Sequence, residues 1–186
     1  MKTKFFTILA AAGLFFLASC GGGVSEDTKK AVKALDSSVT AMMGSVDALA
    51  GEVTKALEMC NASCAAADSC AASCKPEMKG KCDSAMADCK GAKADFESIM
   101  NTINTAKGEW AADTTWAAFM GKVEKGGIKD EEAKKELATF TTWATDAGTK
   151  LTEWTTAFNT ANERCKAGDA AWAAYVASVP APKGKK

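Results

Sequence analysis

From Val32 onward the apolar residues alternate by three and four positions: Val32, Leu35, Val39, Met42, Val46, Leu49, Val53, Ala56 and Cys60. That spacing keeps one side of a helix apolar and sustains a and d positions for four heptads. Met43, Ala50 and Leu57 widen the stripe at e positions, which predicts packing against two neighbours. Gly44 and Gly51 fall at outward f positions, where they weaken the helix but open no hole in a core. A second seam runs through Cys82, Ala85, Cys89, Ala92, Phe96, Ile99, Ile103, Ala106 and Trp110. A third runs through Leu137, Phe140, Ala144, Ala147, Leu151, Trp154, Phe158, Ala161 and Cys165.

Turn-forming residues punctuate the seams. Lys75 to Lys81, with Pro76 and Gly80, separates the first from the second. Asp113 is placed to cap a short helix carrying Trp116, Phe119, Met120 and Val123, which Gly126-Gly127 ends. Asp130-Glu131-Glu132 puts negative charge at the positive end of the last long helix. Gly168-Asp169 predicts a stop and restart before a final turn with Trp172 and Tyr175. No stretch alternates with the period of two that marks a strand. The expected fold is all-α: an elongated antiparallel helical bundle of three long heptad-patterned helices plus one or two short ones, over residues 27–179. A parallel homo-oligomeric coiled coil is the rival, because Val at a with Leu or Met at d in the first helix favours parallel pairing.

Composition narrows the chemistry. The 186 residues carry 23 basic and 23 acidic side chains and no histidine. A neutral chain lacks the basic surplus of a nucleic-acid binder, so no nucleic-acid partner is expected. Without histidine there is no Ser-His-Asp or Cys-His catalysis and no imidazole metal ligand. No phosphate loop or paired-carboxylate motif stands out, and a non-enzymatic protein is expected. Abundant alanine and only three prolines (Pro76, Pro180 and Pro182) agree with an all-helical chain.

The N-terminus indicates destination. Lys2 and Lys4 precede an apolar run from Phe5 to Leu17, too short for a stable bilayer-spanning helix. Residues 1–19 have the pattern of a secretory signal. Leu17-Ala18-Ser19-Cys20 resembles the lipobox of bacterial lipoproteins. That resemblance implies that Cys20 becomes the first mature residue, carries diacylglycerol on its sulfur and is acylated on its amine. Two or three acyl chains hold a protein on a membrane durably. Residues 20–26 then form the lipidated cysteine and a Gly-rich tether. In Gram-negative lipoproteins Asp after the cysteine favours the inner membrane; Gly21 here implies the outer membrane, with the protein facing the periplasm or the cell surface. Ser25-Glu26-Asp27 is similar to the acidic surface signals of some Bacteroidetes lipoproteins and is equally a helix start. Residues 180–186 are expected to be a disordered basic tail. Its Lys186 is similar in place to the lysine that joins the major helical outer-membrane lipoprotein to peptidoglycan.

With Cys20 assigned to lipid, seven cysteines remain: Cys60, Cys64, Cys70, Cys74, Cys82, Cys89 and Cys165. All fall on inward register positions. If the helices run up, down and up, the third climbs about 52 Å from residue 130 and brings Cys165 level with the others. An exported protein meets an oxidising environment, so disulfides are the first expectation, with a connectivity that spacing alone leaves open. The pairs Cys60/Cys64 and Cys70/Cys74 resemble the twin CxxxC hairpins of small mitochondrial import chaperones, which implies bridging between neighbouring helices. Seven is odd, so at least one thiol is left for another use. The alternative is a soft-metal or thiol-redox site of Cys60, Cys64, Cys70, Cys74, Cys82, Met86 and Cys89, with Met78 nearby. Thiolate and thioether ligands favour Cu(I), and inward CxxxC pairs resemble bacterial copper-storage proteins. The spacing lacks the CxxC knuckles usual for zinc. No cofactor is expected on the first reading; copper is expected on the alternative. Trp110, Trp116, Trp143, Trp154 and Trp172 could fill the core or form a binding face for a protein or sugar partner.

Overall fold

The computed structural model describes residues 23–72 and 79–178. Cys20, the signal segment 1–19, residues 21–22 of the tether, Cys74, Met78 and the tail 180–186 lie outside the described residues, as do the side chains of Cys70 and Ala85. The chain forms four helices: α1 (Glu26–Ala72), α2 (Lys79–Ala112), α3 (Thr115–Lys125) and α4 (Asp130–Ser178). Among the described residues there is no strand. The protein is an all-α helical bundle, and the seams supply its core. Val32, Met42, Val46, Leu49, Val53, Ala56 and Cys60 are buried on α1. On α2 the buried set is Cys82, Cys89, Ala92, Phe96, Ile99, Ile103 and Ala106.

Helix ends follow local chemistry. Ser25 caps α1: its Oγ accepts from the Thr28 N–H at 3.3 Å, and its carbonyl accepts from Lys29 N–H. Asp113, the expected cap, lies one residue ahead of the position that flanks α3. The residue flanking α3 is Thr114, which makes no side-chain cap, while Asp113 Oδ1 accepts from the Thr115 N–H at 2.8 Å and its hydroxyl at 2.6 Å. Gly126 ends α3 with φ 67°, a left-handed conformation. Its N–H and that of Gly127 turn back to the carbonyls of Val123 and Lys122.

The expected stop at Gly168-Asp169 does not occur; α4 runs through it without a break. Gly168 is buried, and a Cβ there would lie 2.9 Å from the Cys89 backbone nitrogen. Gly168 is the next d position after Ala161 and Cys165, and the seam continues through it to Trp172 and Tyr175. The glycine brings two helices together and does not end one.

The chain divides into two compact units. One comprises Ala106–Thr152 with the chain up to Asp47; the other comprises Ala48–Thr105 with the chain from Glu153 on. In the first, Val24, Val32, Phe119, Val123, Ile128 and Ala133 form the core cluster, flanked by Trp116, Met120, Leu137 and Phe140. The rings of Trp116, Phe119 and Phe140 meet at centroid distances of 4.9–5.6 Å. The starts of α1 and α4 are tied together: Asp130 Oδ1 accepts from Ser25 N–H and from Thr28 Oγ1, both at 2.8 Å. Its other oxygen pairs with Lys134 at 2.9 Å. Lys107 of α2 pairs with Asp47 of α1.

In the second unit α2 runs antiparallel to α4. Cys89 packs on Gly168, Asp95 meets Arg164 and Phe96 meets Phe158, so partner numbers fall as α2 advances. Phe96 is fully buried, with its ring 5.9 Å from that of Phe158.

Candidate functional site

Five of the seven cysteines have described side chains, and all five belong to the second unit. Cys64 on α1 and Cys89 on α2 are joined by a disulfide, Sγ–Sγ 2.03 Å, with a Cα–Cα distance of 6.1 Å. Their register turns both toward the neighbouring helix. Cys64 is an e position and Cys89 an a position, so each faces the groove between α1 and α2. Cys60 lies one helical turn before Cys64 on the same face. Its sulfur and those of Cys64 and Cys89 lie within 4.8 Å of one another, all three residues buried.

Cys60 is a thiol, and its Sγ donates toward the Cys89 carbonyl at 3.4 Å. Cys165 of α4, also a thiol, is its second partner. Burial pushes the Cys60 thiol up to about 12; the hydrogen bond and electrostatic interaction with Cys165 and the negative charge of Asp169 act in the same direction, and Lys93 acts against them. At neutral pH this thiol is protonated and a poor nucleophile. Three helices thus each bring a cysteine to one place: Cys60 and Cys64 from α1, Cys89 from α2, Cys165 from α4. Nearer the start of α2, Cys82 Sγ lies 3.8 Å from Met86 Sδ, and both residues are buried. Among the described side chains of the expected sulfur sets, Cys60, Cys64 and Cys89 form one group with Cys165 against Cys60, and Cys82 contacts Met86. Cys70 lies on α1, but its side chain and Cys74 are outside the described residues.

Two glycines and one arginine make this convergence possible. Gly168 lets α4 approach the Cys89 backbone closely. A Cβ on Gly91 would lie 2.0 Å from the Arg164 guanidinium carbon, so the guanidinium rests directly across α2. From there it meets Asp88 at 3.5 Å and Asp95 at 3.2 Å. Arg164 is the only arginine in the chain, and its flat fork can span two carboxylates where an ammonium would serve as a point charge. Sequence reasoning passed over Gly91 and Arg164 and took Gly168 for a helix stop. The usable signals were a glycine on an inward seam position and a single arginine among lysines.

The tryptophans contact one another and their neighbours. Trp110 meets Trp143 edge-on at 5.9 Å, Trp172 stacks on Tyr175 at 5.2 Å, and Trp116 Nε1 donates to Asp36 at 3.0 Å. Among the described residues no helix is long and apolar enough to cross a membrane. Comparison with protein-family models, with curated proteins and with solved structures finds no match.

Proposed function

We propose that this chain is a lipid-anchored protein of the bacterial outer membrane, facing the periplasm or the cell surface. In this reading it is a non-enzymatic helical bundle with a structural or binding role. Its cysteine-bearing end is held by disulfide. The observation that carries the proposal is the buried Cys64–Cys89 disulfide across two helices. Such a bond persists in exported proteins and is rare where thiols are kept reduced. The lipobox-like Leu17-Ala18-Ser19-Cys20 points to the same compartment and adds the anchor. Residues 27–47 begin the bundle directly after the tether, while all five described cysteines lie in the other unit.

The test is fractionation of cells making the full-length chain. The wild type is expected in the membrane fraction, labelled by radioactive palmitate. Cys20→Ala should lose the label and appear in the soluble exported fraction. Membrane retention of the unlabelled variant would overturn the anchor.

A further inference from the structure

The geometry points to a second, chemical role for the sulfur cluster: a redox-gated site for one Cu(I) ion, with Cys60, Cys64 and Cys89 as its three thiolate ligands. This goes beyond the envelope reading and does not depend on the anchor. Three observations carry it. The three sulfurs already lie within 4.8 Å of one another, and all three residues are buried. A metal–thiolate bond of about 2.3 Å sets sulfurs around one ion about 4 Å apart, so side-chain rotation suffices once Cys64 and Cys89 are no longer bonded to each other. Among the described residues the group contains sulfur alone, with no carboxylate in it. A sulfur-only, water-poor set selects a soft ion.

The number of ligands chooses between soft ions. Zinc in structural sites takes four ligands in a tetrahedron. Cys165 touches Cys60, but among the described residues no fourth sulfur belongs to the set of mutually close ones. Three thiolates suit Cu(I).

The disulfide is the gate. While Cys64 and Cys89 are bonded to each other, Cys60 is the one thiol of the three and no site exists. A dithiol reductant opens it: the dithiol is oxidised to its disulfide, and two electrons and two protons pass to Cys64 and Cys89. One Cu(I) then replaces three thiol protons, giving a tris-thiolate complex and releasing three protons. Without the cross-link α1 stays beside α2 because Asp68 pairs with Lys90 at 3.2 Å and both helices bury their seams, Val53 and Ala56 on one and Ala92 and Phe96 on the other.

The experiment counts Cu(I) bound by the mature chain in anaerobic competition with bicinchoninate, before and after a phosphine reductant. The phosphine takes up one oxygen from water as it delivers two thiols, and it is removed before titration. The wild type should gain one tightly held equivalent on reduction, with three sulfur neighbours at about 2.3 Å by X-ray absorption. Cys60→Ala keeps the disulfide and should keep its helical circular dichroism, yet lose that equivalent. Cys89→Ala should lose it too, while Cys74→Ala retains it. The same gain in Cys60→Ala, equal binding before and after reduction, complete retention of copper by the chelator, or preferential binding of Zn(II) by four sulfurs would each overturn the site.

Discussion

Cys60 and Asp130 show how surroundings set the behaviour of a single group. The Cys60 thiol ionises near 9 in an unfolded chain and near 12 in the bundle. Between those values the native state holds one proton more than the unfolded state, so stability is kept below about pH 9 and falls as pH rises above it. Cys60→Ala should flatten that alkaline limb in urea titrations run at pH 8 and pH 10. A maleimide at pH 7.5 should label Cys165, which is half-buried, well before Cys60, as peptide mapping would read. Asp130 runs the other way. Burial opposes its charge, but hydrogen bonds from the Ser25 N–H, Lys134 and Thr28 outweigh this and hold its carboxyl well below the usual carboxylate range. Its contribution is therefore present above the ordinary carboxylate value of 3.8 and fades only in stronger acid. Asp130→Ala leaves Thr28 and the Ser25 N–H without their acceptor, a loss of about 1–3 kcal/mol at pH 7. Chemical denaturation would measure it, and the difference from wild type should shrink below pH 3.

At the scale of the helix, glycines with the same propensity have opposite roles. Gly51 is exposed on α1, and a Cβ there meets no atom within 4 Å. Gly51→Ala should therefore stabilise the protein by up to about 1 kcal/mol through helix propensity alone. Gly168→Ala enjoys the same propensity gain but drives a Cβ to within 2.9 Å of the Cys89 nitrogen and 3.3 Å of its Cα. Both contacts are backbone, so α4 must move off α2. Overpacking of this kind costs about 1–3 kcal/mol, enough to reverse the sign. Paired thermal melts would show one midpoint rising and the other falling. This contrast was only half legible in the sequence. The outward place of Gly51 follows from the heptad count. The inward place of Gly168 follows from the same count, but glycine beside aspartate is also the commonest local signal for a helix end. Local chemistry cannot tell a turn from a close approach, because the deciding atoms belong to another helix.

For the whole molecule, the cross-link matters through the unfolded state. The Cys64–Cys89 disulfide closes a loop of 25 residues, which restricts the unfolded chain by about 3 kcal/mol in the chain-entropy account. Reduction, or Cys64→Ser, should lower the unfolding free energy by that order while leaving the helical content unchanged. Guanidinium titration with and without reductant would test it. A larger loss, with collapse of helicity, would mean that the buried seams of α1 and α2 hold the two helices together less well than their burial implies.

By itself the sequence determined the class of fold, three long helices with one or two short ones, and which faces turn inward; the structure has one short helix. Those follow from periodicity, because a side chain every three or four residues lies on one side of a helix whatever surrounds it. It also determined the inward positions of Cys60, Cys64, Cys82 and Cys89, which are buried. Tertiary structure alone decided which of them meet: that Cys64 rather than Cys60 bonds to Cys89, and that Cys60 is left as a buried thiol against Cys165. Register says which way a side chain points along its own helix. How close a neighbouring helix comes depends on Gly168 and Gly91, whose missing side chains act only on residues about eighty positions away in the chain.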